Sequence, residues 1–326
     1  MRRSWFRLLC VALPFVLASC AGPRAPAPDA SAGAIRIDGA VQRPSSWSAA
    51  DLRARSALTQ EDRFDSGHGP QAHAFTGAAL WPLLAEAGLP AATGKDGLLD
   101  HYVLAVGADG YRAVFSIGEL HPEFGGRQNL VAYGESAQGA ALPLAGGTGP
   151  LRLTAPGDRK GGRYVAQLVR VSVLAPPPAQ AGGAGDAGGI APSVAVSGQV
   201  RTPRRFDLEA LRALPSASVQ VGANTYRGAD LWQLLDGLGL RAPEGARNPT
   251  ITLYAVATGS DGYRVVVSLA EIDPAFGGRQ ALVAYERNGE PLGRNGVARL
   301  VLAGDAKQGR SVSNLRSIEV FAAAAP

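Results

Sequence analysis

Hydrophobic positions in this chain follow two periods, and the same order of periods occurs twice. A short strand ending in a turn is predicted at 35–39 and again at 194–198, followed by Pro44 and Pro203. Ser48 and Asp207 then fall where a helix begins, because their side-chain oxygens accept from free N–H groups of a first turn. Leu80, Leu83, Leu84 and Ala87 lie at helical spacing, as do Leu231, Leu234, Leu235 and Leu238. Gly88 and Gly239 suit the left-handed residue that ends a helix, and Pro82 sits in the first turn, where its missing N–H costs little. Trp81 and Trp232 occupy one repeat position and are expected to line the core or a groove.

Beyond these helices the period changes to two. Residues 102–106 and 111–116 flank Asp109-Gly110, and Asp261-Gly262 is flanked in the same way; Asp-Gly between alternating apolar residues signals a hairpin. Gly125-Gly126 and Gly277-Gly278 precede strands at 130–133 and 282–285. Final strands are expected at 151–154 and 168–173, with counterparts at 299–302 and 315–321. The pattern is α+β and dominated by strands.

Aligned without a gap, residues 101–133 and 253–285 are identical at 20 of 33 positions. A repeat this long is a whole domain, since solenoid units run at roughly 20–50 residues. The sequence therefore divides into domains at 35–175 and 193–322, joined by a Pro/Gly/Ala linker at 176–192. A flexible linker leaves their mutual orientation open.

The N-terminus has Arg2, Arg3 and Arg7 before an apolar run from Leu8 to Leu17, too short to span a bilayer and suited to a signal-peptide core over 1–19. Leu17-Ala18-Ser19-Cys20 resembles the bacterial lipobox, which implies lipidation of Cys20 and attachment to the membrane through the lipid. Ala21 after the cysteine implies outer-membrane sorting, with the domains facing the periplasm. Residues 20–34, rich in Ala and Pro, read as a flexible tether. The net charge of +5 includes the three leader arginines, so nucleic acid is not an expected partner. Only Cys10 and Cys20 are cysteines, which leaves the mature domains without a disulfide or thiolate ligand.

The order Gly-x-Val-x-x-Pro, helix, Gly-x-x-Leu-x-x-Leu-Leu-x-x-x-Gly, Asp-Gly-Tyr-Arg, Ser-x-x-Glu, Arg-Leu and Gly-Asp-x-Lys-x-Gly-Arg resembles the sulfite-oxidase-type molybdopterin-binding domain. More narrowly, it resembles the short exported bacterial molybdopterin-dependent oxidoreductases. The resemblance implies two copies of a mixed, strand-rich domain, molybdopterin as cofactor and a cysteine thiolate on molybdenum. Neither copy supplies that cysteine: the corresponding stretches hold Asp65, Ser66, His68 and His73, or Ser216, Ser218 and Asn224. No protein-borne metal site is expected, and no catalytic residue is assigned.

Recurring cations beside glycine-rich turns offer an anion paired donors and backbone N–H groups. The anion or cofactor candidates are Arg127, Asp158, Lys160 and Arg163 in the first copy, and Arg279, Asp305, Lys307 and Arg310 in the second. Three readings stay open: a binding module for a pterin or other small anion, a molybdenum oxidoreductase with a substitute ligand, and a scaffold for an envelope redox partner. All four histidines, His68, His73, His101 and His121, lie in the first copy, so histidine chemistry is not a property of the repeat. Glu119 and Glu271 show no second shared carboxylate, and Ser116 and Ser268 no shared histidine, so neither a glycosidase pair nor a hydrolase triad is expected.

Overall fold

The computed structural model describes residues 33–91, 97–137, 140–144, 147–178, 189–241 and 248–323. The predicted leader at 1–19, Cys20, most of the tether and most of the linker lie outside them. The described residues belong to one compact unit.

The first half begins with β1 (Ala34–Gly39), β2 (Ser45–Ser48) and helix α1 (Ala49–Arg53). Ser48 caps α1: its Oγ accepts from the Asp51 amide at 3.1 Å, while Asp51 accepts from the Ser48 amide at 2.8 Å, a reciprocal capping box. A long hairpin follows, β3 (Leu58–Ser66) and β4 (Gly69–Ala79), leading into α2 (Leu80–Ala87), which stops at Gly88 with φ +74°. Next come β5 (Tyr102–Gly107), β6 (Arg112–Ser116), α3 (Ile117–Leu120), β7 (Leu130–Ala137), β8 (Ala140–Leu142), β9 (Arg152–Leu153) and β10 (Leu168–Leu174).

The second half runs β11 (Val194–Gly198), β12 (Arg204–Phe206), α4 (Leu208–Arg212), β13 (Ser216–Val221), β14 (Asn224–Asp230) and α5 (Leu231–Gly237). It continues with β15 (Leu253–Gly259), β16 (Arg264–Ser268), α6 (Leu269–Ile272), β17 (Ala281–Arg287), β18 (Glu290–Pro291), β19 (Arg299–Leu302) and β20 (Leu315–Ala322). Asp207 caps α4 through its side chain, and Gly239 has φ +73° just beyond α5.

Each half builds two mixed or antiparallel sheets. One has the order β2-β1-β10-β5-β6, with β1 and β10 parallel; the second half gives β12-β11-β20-β15-β16, with β11 and β20 parallel. The other sheets are β3-β4-β7-β8 with β9 on β7, and β13-β14-β17-β18 with β19 on β17. The fold is strand-rich, with short helices at sheet margins.

The two halves pack against each other, in contrast to the orientation left open by a flexible linker. The reason lies in β5 and β15, which are apolar on both faces. Val103 and Ala105 face the first-half core, while Tyr102 and Leu104 pack with Val114, Tyr254, Val256 and Val266 across the boundary. Tyr102 and Tyr254 stack with ring centroids 4.3 Å apart, a geometry worth roughly 0.5–1.5 kcal/mol beyond buried area. A strand buried on both faces reads as a continuous apolar run, and YVLAV and LYAVA are such runs.

Candidate functional site

The Asp-Gly-Tyr-Arg blocks are fasteners. Gly110 and Gly262 adopt φ +80° and +82°, and Asp109 and Asp261 accept from the amides of Tyr111 and Tyr263 at 2.9 and 3.0 Å. Each tyrosine hydroxyl donates at 2.6 Å to a carbonyl of the Gly-Asp-x-Lys-x-Gly-Arg turn, Tyr111 to Gly162 and Tyr263 to Gly309. The hairpin thus positions the turn that the sequence marked for anions.

Within that turn, Asp158 and Arg163 hold each other. Arg163, fully buried, donates through Nε and Nη2 to Asp158 at 2.7 and 2.6 Å, and through Nη1 to Glu119 at 2.8 Å. Arg127 completes the cluster, 2.5 Å from Asp158 and 3.1 Å from Glu119. The second half repeats it: Arg310 reaches Asp305 at 2.7 and 2.5 Å and Glu271 at 2.8 Å, while Arg279 pairs with Asp305 and lies 3.4 Å from Glu271. The repeated Gly-Gly pairs make this possible, because a Cβ on Gly125 or Gly277 would lie 2.5 Å from the carbonyl oxygen of Glu119 or Glu271. The amides of Arg127 and Arg279 bond to those same oxygens at 3.0 and 2.9 Å.

The clusters meet at the boundary between halves, where Ser116 Oγ donates to Glu271 at 3.1 Å and Arg279 Nη2 to the Gly125 carbonyl at 3.3 Å. Burial opposes charge on Arg163 and Arg310, yet Glu119 and Glu271 with the two aspartates more than offset it and raise both guanidiniums above their usual range. Burial pushes the Glu119 carboxyl up despite Arg163 and Arg127; the Glu271 carboxyl is drawn down because Arg310 and Arg279 overcome its burial. Four guanidiniums therefore face four carboxylates. Arg127, Arg163, Arg279 and Arg310, with Asp158 and Asp305, are occupied by one another.

The two lysines differ. Lys307 Nζ donates to Glu123 at 2.5 Å, in an exposed pair reaching across to the first half. Lys160 is exposed and, among the described residues, has no carboxylate within ion-pair reach. It lines a cleft of about 580 Å³ with Phe64, Asp65, Ser66, Tyr111, Arg152, Tyr164 and Asn248. That volume lies within the roughly 300–1,000 Å³ typical of small-molecule sites.

The long hairpin builds one wall. β3 and β4 pair over nine positions, from Leu58 opposite Gly77 to Ser66 opposite Gly69, whereas β13 and β14 pair over six and turn at Val221 and Asn224. The extra length carries Phe64, Asp65 and Ser66 over the turn, where the Asp65 amide bonds to the Arg159 carbonyl at 2.7 Å. Behind this wall, the Arg152 guanidinium lies 5.3–5.9 Å from the ring centroids of Phe64, Phe75 and Tyr164. Its Nε, the Tyr164 hydroxyl and Asp62 Oδ2 are buried without a well-aligned hydrogen bond among the described residues. Burial raises the Asp62 carboxyl to about 6, against the pull of Tyr164, His73, Arg127 and Arg152. Burial and Asp62 also push the Tyr164 phenol up.

Molybdenum is a poor match for these donors. The stretch expected to carry a thiolate offers oxygen and imidazole, and His73 is stacked between Phe64 and Phe75, 3.3 Å from Glu135. Among the described residues no three His, Cys, Asp or Glu side chains are placed to hold a metal ion. The residues do not fit a thiolate-bound molybdenum centre.

Sequence reading missed Phe64, Arg152, Tyr164 and Asn248 as a group. The strands at 58–79 escape a reading by alternation, because polar Asp62 and His73 interrupt the apolar pattern.

No protein-family model matches the chain, and no curated protein matches it. Among solved structures, the chain is similar to that described as the crystal structure of the sulfane dehydrogenase SoxCD from Paracoccus pantotrophus. The identity is 13%, the match covers 90% of this chain and 78% of that one, and the TM-score is 0.37.

Proposed function

We propose that the protein is a lipid-anchored binding module of the bacterial envelope, and that its ligand is a small planar anion held in the cleft beneath the β3–β4 hairpin. The single observation that carries this reading is Lys160. The arginines and Lys307 of the candidate set are paired with carboxylates, whereas Lys160 lines a cleft of ligand size and, among the described residues, makes no ion pair, although Asp65 and Asp109 line the same cleft. Phe64, Tyr111 and Tyr164 give the cleft aromatic walls, Asp65 an acceptor for ring N–H groups, and Lys160 positive charge for an anionic substituent. A metal-free pterin has this chemistry, and the order of sequence motifs favours that class.

The recurrence of the sheet order and of 20 identities in 33 aligned positions supports descent of both halves from one domain of the molybdopterin-oxidoreductase type. On this reading the binding site outlasted the metal chemistry. Attachment through Cys20 to the outer membrane, facing the periplasm, belongs to the same proposal.

Fluorescence titration of the soluble form, beginning at Ala21, with pterin-6-carboxylate tests it. Saturable binding is expected, weakened about tenfold by Lys160→Ala, the scale of one charge-assisted contact, and unchanged by Lys307→Ala. No binding, or equal binding by Lys160→Ala, refutes the reading.

A further inference from the structure

The two lysines differ in their ion pairing: Lys307 meets a carboxylate of the opposite half, and Lys160 makes no ion pair among the described residues. The Ala306 amide bonds to the Phe124 carbonyl and the Arg159 amide to the Phe276 carbonyl, both at 3.1 Å. These matched contacts bring residues 123 and 275 to equivalent places beside the two Gly-Asp-x-Lys-x-Gly-Arg turns, each one position before the phenylalanine whose carbonyl takes the turn's amide. Residue 123 is Glu and pairs with Lys307; its counterpart in the ungapped alignment, residue 275, is Ala. The second half also reaches the cleft directly. Asn248 Nδ2 donates to the Tyr111 hydroxyl at 3.3 Å, and a Cβ on Gly162 would lie 2.7 Å from Phe276 and 3.2 Å from Asn248.

We infer that the chain has one composite anion site, and that the second half serves the first: Ala275 brings no carboxylate to the Lys160 turn from the second half, and Asn248 completes the cleft wall. Asn248 is a specificity-determining residue, its amide presenting both a donor and an acceptor to a ligand edge. Among the described residues the second half lacks this arrangement: Lys307 is paired with Glu123, and β13 and β14 pair over six positions where β3 and β4 pair over nine. The inference rests on the cleft being the ligand site proposed above.

The test is calorimetric titration of the soluble form with pterin-6-carboxylate. One equivalent per chain is expected. Ala275→Glu places beside the Lys160 turn the carboxylate that Lys307 already meets, and is expected to weaken binding about tenfold, as the loss of one charge-assisted contact would. Asn248→Ala is expected to weaken this probe while leaving inorganic pyrophosphate, which lacks a ring edge, unaffected. Glu123→Ala frees Lys307 and is expected to leave the stoichiometry at one. Two equivalents per chain, or unaltered affinity in Ala275→Glu, overturns the composite site while the cleft remains a binding site. Absence of binding to the unmodified chain overturns both.

Discussion

Removal of the Arg163 guanidinium separates a structural role for the buried arginines from a ligand-binding one. Arg163 is fully buried and makes close contacts with Glu119 and Asp158, which are themselves buried. In Arg163→Ala both carboxylates keep only Arg127, 3.1 Å from Glu119 and 2.5 Å from Asp158, against the desolvation of two charges. Breaking a buried pair in this way costs about 3–5 kcal/mol, whereas an exposed, solvent-screened pair such as Lys307–Glu123 contributes far less. Urea unfolding of the soluble form is expected to show that contrast between Arg163→Ala and Lys307→Ala.

The pH dependence supplies a second check. Loss of Arg163 raises the folded-state pKa of Glu119 further, since Arg163 is the chief group opposing its burial, so the folded variant binds a proton that the unfolded chain does not. The deficit is therefore full above the raised value and shrinks as pH falls toward the unfolded carboxylate range near 4. A loss below about 1 kcal/mol, or one independent of pH, would refute the structural assignment and return Arg163 to the ligand-binding candidates.

Two further outcomes are expected, one from the buried Asp62 and one from the proposed lipid anchor. Asp62, raised to about 6 by burial, is more easily protonated folded than unfolded, so its ionisation removes stability as pH rises through that value. Allowing for screening, Asp62→Asn is expected to stabilise the protein by about 1–2 kcal/mol at pH 8 and by almost nothing at pH 4, as read by thermal melts. Cys20→Ala in the full chain is expected to move the protein from the membrane to the soluble fraction on fractionation; retention in the membrane would count against the lipid anchor.

Much of the framework was legible because local rules and tertiary packing agreed. Ser48 and Asp207 cap helices as their side chains dictate, and Gly88, Gly110, Gly239 and Gly262 take the positive φ their turns demand. The paired packing of the halves was written in YVLAV and LYAVA, where no polar face is left for water, but alternation alone conceals it.

The site was less legible. Charge composition marks arginines without showing which carboxylates meet them, and Glu119 and Glu271 lie far in sequence from Asp158 and Asp305. The pairing of Lys307 with Glu123 joins opposite halves, a relation that exists only once the halves are packed.

The most direct measurement uses the three lysines of the chain, Lys95, Lys160 and Lys307. Brief amine acylation of the soluble form, with and without pterin-6-carboxylate, can be read at each lysine by peptide mass spectrometry. The account predicts that ligand slows modification of Lys160 and leaves Lys307 unchanged. Protection of Lys307 with Lys160 unaffected, or equal protection of both, would contradict a single anion site in the cleft beneath the β3–β4 hairpin.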